Sequence, residues 1–349
     1  MVTVEQKNFS ASLAIVCVIL LPLICLPLKL IPSFYLRVIL LAVITGLCVG
    51  LYLIGKFNEA GFSKTAGIIF LLPILLSASA IIVFPEKILD GTVVLSFEKN
   101  LIPTRTHILG TDYKGRDILF TLLSGGGHTY FIAIIATLLS SLLGIVIGIL
   151  MTLENKLFQM VVKLFVELFE ILPRVFFLVI VIGILHVWIG ELDYTPSQAF
   201  KVTAIGVLIG FTSIPFVARL VQRIVEKNYQ SDYVLTLKAS AVPRYKILFY
   251  NVLWKSVLPQ LIVQISFVFG LVILIDSSLE YVLSIGFGEY GKAGYLSWGR
   301  ILADARHSVI FGQKLWIIVP PILCITLSIL GSNMIGDSLS KSLSRWLKQ

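Results

Sequence analysis

Charge is what this sequence has least of. Only 13% of its 349 residues are Asp, Glu, Lys or Arg, against 57% hydrophobic. Soluble domains carry about a quarter charged residues, so an ordinary water-soluble fold is excluded. Cysteine is scarce as well. Cys17, Cys25, Cys48 and Cys324 all fall in apolar runs and share no metal-ligand spacing, which points to packed helices rather than zinc or redox chemistry. His107, His128, His186 and His307 are scattered. Neither a metal site of sequence-local ligands nor the clustered acid–base groups of a membrane enzyme is expected. Internal repeats are missing, which disfavours a secondary transporter built from them. The first apolar run follows only Lys7 against Glu5 and has no small-residue cleavage site, so it reads as a retained helix rather than a leader.

Long apolar runs fill the space that charge leaves empty. Eight can be placed, near 8–28, 35–55, 66–84, 129–152, 168–190, 200–218, 257–275 and 315–336. Tyr130–Thr152 and Leu315–Gly336 contain no charge at all, and each exceeds the ~18 residues that mark a spanning helix. Helices satisfy their backbone groups internally, which lipid cannot do. The expected fold is therefore an all-α integral membrane protein of about eight transmembrane helices. The fifth run is the shortest, since Val175–Gly190 follows Pro173, and its helix is expected to begin before that proline.

Lys and Arg orient the chain. With both termini cytoplasmic, the inner segments 1–7, 56–64, 153–174, 219–256 and 337–349 hold 16 Lys/Arg and 8 Asp/Glu, a net of +8. The outer segments hold the remaining 12 and 11, a net of +1. This partition follows the positive-inside rule, so the formal charge of +9 encodes orientation and not nucleic-acid binding.

Several stretches are candidates for function. In the cytoplasmic segment 219–256, Ser231 or Asp232 can cap a short helix beginning near Tyr233, and Pro243 can start another segment. A short helix between two spans either levers a soluble partner or rests on anionic headgroups. Glu167, Glu170 and Arg174 fall within one helical face, with Glu170 and Arg174 spaced to pair. They are either a solvated helix end or a polar stripe on a pathway. Asp276 and Asn333 are pathway or bundle-packing candidates, because charged and polar groups at membrane depth face cavities or partners. Gly286–Ala293 nearly fits a phosphate loop, but Ala293 replaces the required hydroxyl and the topology puts it outside.

The order of four motifs resembles the dipeptide/oligopeptide/nickel permease family of ABC importers, its C-type subunit in particular. His107-Ile-Leu-Gly-Thr-Asp-Tyr-Lys-Gly-Arg-Asp117 is similar to the family's H-x-L-G-T-D-x-x-G-R-D. Asp232–Leu253 sits where the family has its ATPase-coupling loop, and Leu296–Arg306 is similar to P-S-W-G-x-x-L-x-x-x-R. Asn333-Met-Ile-Gly-Asp337 matches a terminal N-x-x-G-D. The resemblance covers about 66–349. It implies a six-helix permease core preceded by a two-helix extension at 1–65, with outer segments 85–128 and 276–314. The extension is expected to be peripheral to the pathway.

The resemblance further implies that Asp232, Tyr233, Leu237, Lys238, Ala241, Arg244 and Phe249 contact an ATPase. The family's Glu-Ala-Ala and following glycine are here Leu235-Thr236-Leu237 and Ala241, a degenerate version of that loop. Within the outer motif, Gly110 and Gly115 suit tight turns, and Asp112 and Arg116 could pair at i,i+4 if that stretch is helical; with Asp117, these residues either brace a helix entrance or meet a binding protein. Implied partners are a homologous second permease, two cytoplasmic ATPases that bind ATP and Mg, an extracytoplasmic solute-binding protein and membrane lipids. No catalytic residue, metal or cofactor is expected in this chain. The location implied is the bacterial plasma membrane, and the cargo short peptides or, alternatively, nickel or metal chelates. Labelling from outside should mark a cysteine placed at Ser96 and spare one at Ser342; the reverse pattern would refute the eight-helix topology.

Overall fold

The computed structural model describes residues 99–346 apart from 106, 154, 192–197, 241, 244–256, 287–295 and 313. The expected extension 1–65, the span 66–84, and Ala241, Arg244 and Phe249 lie outside the described residues. Those described form eight helices: α1 Ile118–Leu150, α2 Lys156–Ile171, α3 Arg174–Glu191, α4 Gln198–Tyr229, α5 Asp232–Ala239, α6 Leu258–Gly286, α7 Trp298–Gly312 and α8 Leu315–Trp346. Among the described residues there is no strand beyond one isolated bridge, Thr111 with Asp117.

Four of these helices, α1, α4, α6 and α8, are long and apolar enough to cross a membrane. Large apolar side chains on their outer faces, such as Leu142, Leu274 and Leu323, are exposed, as a lipid-facing surface requires. α1 starts at Ile118, well before the expected 129, because the Asp117 carboxylate accepts from the Leu119 and Phe120 N–H groups and caps it. The Gly125-Gly126-Gly127 run, read from sequence as part of the outer stretch, is therefore helical.

The fifth expected span is not one helix. α2 and α3 meet at 91° across Leu172-Pro173. Pro173 removes a backbone donor and would clash with the carbonyl four residues back, and Leu172 adopts the extended conformation favoured before proline. The expected Glu170–Arg174 pairing assumed a continuous helix; across the break Glu170 still acts electrostatically on Arg174. Glu170 forms its ion pair with Arg219 on α4, and the Arg174 guanidinium lies 3.6 Å from the Phe216 ring centroid.

α1 and α4 form the most extensive helix pair. Lipid tails are as apolar as leucine, so close backbone approach rather than hydrophobic gain drives association. Glycines permit it on both sides. A Cβ on Gly148 would stand 2.7 Å from the Ala218 carbonyl oxygen and from Val221 Cβ, and one on Gly210 would stand 2.9 Å from the Ala136 backbone. Gly144 meets Val217 in the same seam, whereas a Cβ on Gly206 would clear Ile135 by 3.3 Å. Gly148→Ala should therefore lower stability by about 1–3 kcal/mol, the usual overpacking cost. Gly206→Ala should be close to neutral, because alanine's helix preference, about 1 kcal/mol, offsets a mild contact. Thermal unfolding of the detergent-purified protein checks this ranking; equal losses would contradict the seam.

Candidate functional site

The motif His107–Asp117 lies in a strap, residues 99–117 apart from 106, over the start of α1. Gly110 and Gly115 both have φ of +80°, the left-handed region that glycine enters without strain. Between them, the Asp112 carboxylate accepts from the Lys114 and Arg116 N–H groups, at 2.9 and 2.8 Å. Asp112 and Arg116 also pair through their side chains, with Nε to Oδ2 at 2.7 Å. The sequence reading required a helix for this pair; a tight turn delivers it instead. His107 Nδ1 stands 2.8 Å from Asp117 Oδ2, so the helix cap is itself held by the first residue of the motif.

Asp304 on α7 is the anchor of this strap. Its Oδ2 accepts from Arg116 Nη2 at 2.8 Å and from Lys114 Nζ at 3.2 Å, while Arg300 Nε lies 3.7 Å from Oδ1. Burial alone would lower the Arg116 guanidinium, but Asp112 and Asp304 outweigh it and leave it above its ordinary value. Burial likewise pushes the Asp304 carboxyl up, and Arg116 and Lys114 more than reverse this, leaving it below the usual carboxylate range. Asp304 and Arg300 were not singled out from sequence. Their i,i+4 spacing on a helix in a charge-poor chain was the available signal.

Below the strap, Trp298 is fully buried where α1, α6, α7 and α8 converge. Its indole Nε1 donates to the Leu122 carbonyl at 2.9 Å, and its ring meets Tyr130 edge-on at 5.1 Å. The Tyr130 hydroxyl bonds Ser328 on α8. Asp276, a sequence candidate, is completely buried on α6 together with Glu280 one turn later. Both sit inside the helix bundle rather than on an open surface. Asn333, on α8, is half-buried.

In the second half of α4, Arg219 gathers Glu167 and Glu170 of α2 at 3.2 Å each, which brings two of the three expected stripe residues onto one cation. Lys163 of α2 lies 3.7 Å from Glu226. α5 follows α4 directly, as expected from the Ser231-Asp232 signal. Tyr233 and Asp232 are exposed on it, Val234 is buried, and Leu237 is half-buried against the bundle core. Lys238 lies in the same helix. Of the residues expected at a docking face, Leu237 thus points its packing inward and Tyr233 outward. Among the described residues, no three His, Cys, Asp or Glu gather in a metal-holding group.

The depressed Asp304 carboxyl predicts a pH dependence. A group whose folded value lies below its unfolded one stabilises the fold above the unfolded value and loses that contribution as pH falls through the folded one. The strap should therefore be firm at neutral pH and loosen only in acid, below the ordinary carboxylate range. Asp304→Asn should cost roughly 1–3 kcal/mol at neutral pH, since Arg116 keeps Asp112 but loses a buried charged acceptor. The difference from wild type should shrink in acid, and thermal unfolding at two pH values reads it. A penalty independent of pH would contradict the clamp.

Residues 144–349 match the family described as binding-protein-dependent transport system inner membrane component. The chain is 30% identical over 244 residues to the dipeptide transport system permease protein DppC of Escherichia coli, covering 70% of this chain and 74% of that one. It is 25% identical over 246 residues to the protein of the same description from Alkalihalophilus pseudofirmus, again 70% and 74%. The oligopeptide transport system permease protein OppC of Lactococcus lactis is 25% identical over 238 residues, 68% of this chain and 75% of that one. A multi-pass bundle of apolar helices that matches along more than half its length thus belongs to the inner membrane components of binding-protein-dependent transport systems.

Proposed function

We propose that this chain is one permease half of an ATP-driven importer for di- or oligopeptides in the bacterial plasma membrane. The observation that carries the reading is the family match over 144–349 together with similarity to named peptide permeases. In this reading a homologous permease completes the pathway, and an extracytoplasmic binding protein delivers cargo. Two cytoplasmic ATPases bind ATP and Mg, and both termini lie on their side. The full chain has about eight spans, the extension 1–65 preceding a six-helix core.

The mechanism is alternating access. ATP closes the ATPases, and their differential contact with α5 in the two states biases the bundle, as any such coupling requires. α5 suits this role physically, because Val234 and Leu237 seat it on the bundle while Tyr233 offers an exposed ring to a partner. Burying such a ring contributes about 25 cal/mol per Å². The missing family glutamate leaves more of the contact to these apolar groups.

Tyr233→Asp and Leu237→Asp separate the two contributions. A charge without a partner in a docking groove is costly, so both variants should lose transport and substrate-stimulated ATPase activity together while still inserting in the membrane. Leu237→Asp should in addition lower thermal stability, because it strikes the seat of the helix. Intact transport in Tyr233→Asp would refute docking at α5. Failure of the chain to copurify with any ATPase would refute the importer itself.

A further inference from the structure

α1 is shared between two sets of neighbours, and the division falls at its glycine run. On the outer side, Ile118 packs with Ala305 of α7 and Ile317 of α8. The strap that precedes it is tied to α7 through Arg116 and Asp304. Gly125 admits α7 closely: an added Cβ would stand 2.9 Å from Ile301 Cδ1 and 3.2 Å from the Ser297 backbone. On the inner side, from Ile132 through Gly148, α1 is committed to α4 along the glycine seam. Gly125, Gly126 and Gly127 lie between these two commitments.

Three consecutive glycines take the side chains from most of a helical turn. Each is easier to deform than alanine, and kinks gather where glycine follows serine, as Gly125 follows Ser124. Trp298 spans this stretch. Its indole N–H bonds the Leu122 carbonyl before the glycines, and its backbone N–H bonds Thr129 Oγ1 after them, at 2.9 and 3.3 Å. The ring also rests on Tyr130, which is stacked on Phe269 of α6 at 6.4 Å. One buried residue of α7 therefore grips α1 on both sides of its softest turn.

We propose that Gly125–Gly127 is the bending point of α1 and that Trp298 is the clasp that bridges it. The strap, Ile118–Ser124 and α7 form the outer unit. This unit swings against the α1–α4 seam when the contacts of Trp298 with Thr129 and Tyr130 are released. The role of this motion in transport rests on the alternating-access reading above; the hinge itself does not.

Spin labels at Arg105 on the strap and at Phe200 near the start of α4, both exposed, report the swing in the full importer in lipid. Distances are measured without nucleotide and after vanadate trapping with ATP. Wild type should show two distance populations whose ratio changes between the conditions. Gly127→Ala should suppress one of them, and transport should fall by about tenfold if the population shift is of that order. Thr129→Val, which removes one clasp acceptor and also the hydroxyl that meets the buried Asp276, should enrich the population that Gly127→Ala suppresses, whereas Thr129→Ser, which keeps that hydroxyl, should not. A single unchanged wild-type distance while ATPase activity is stimulated by cargo overturns the hinge and leaves the importer standing. Gly127→Ala with both populations intact also overturns it. Distances that respond to both variants as expected in a chain that recruits no ATPase keep the hinge and overturn the importer reading.

Discussion

The contact between α1 and α4 is the constraint on which the remaining architecture depends. In lipid, two apolar helices gain little by meeting unless their backbones approach closely. Gly144 and Gly148 on one helix and Gly210 on the other create that approach. Once α1 is fixed there, its remaining faces are free to receive α6 and α7, and Tyr130 reaches α8 through Ser328. The same device recurs elsewhere. Gly299 accepts the backbone of Ser277, and Gly270 accepts Ser332 and Ile329, so α6 is joined to α7 and α8 by small-residue contacts too.

Charge is used sparingly and at defined levels of the bundle. At the strap, two carboxylates and three cations form a partly buried cluster in which each charged group has an opposite partner. In the second half of α4, Arg219 holds α2 through two glutamates at a more exposed site. Removing a charge from water is costly unless it is paired, which explains why the more buried strap cluster is the more fully connected of the two. The exposed pairs contribute less, as surface ion pairs generally do. Between the two levels lie Asp276 and Glu280, buried on α6, where a chain so poor in charge has nonetheless kept two carboxyl groups.

Much of this was legible from residues alone. Apolar runs located α1, α4, α6 and α8, because spanning a hydrocarbon layer of fixed thickness demands a minimum length. The capping signal at Ser231-Asp232 located α5, because capping is a local interaction. The turn around Gly110 and Gly115 was readable for the same reason. Composition excluded a soluble fold, and the motif order pointed to the family that the later comparison established. Less readable were the boundaries of α1, since three glycines and a polar approach mask a helix whose start is set by Asp117 and by packing on α7.

The sequence by itself determined that this is an all-helical membrane protein, where several of its helices lie and which stretch forms the tight turn before α1. These follow from hydrophobic length and from interactions between residues close in the chain. Only the tertiary structure decided that Arg116 answers to Asp304 far along the chain, that Glu170 turns to Arg219 after Pro173 breaks its helix, and that Leu237 faces the bundle while Tyr233 faces out. Such pairings depend on which helix faces become neighbours, and periodicity along one segment carries no information about the surface that will meet it.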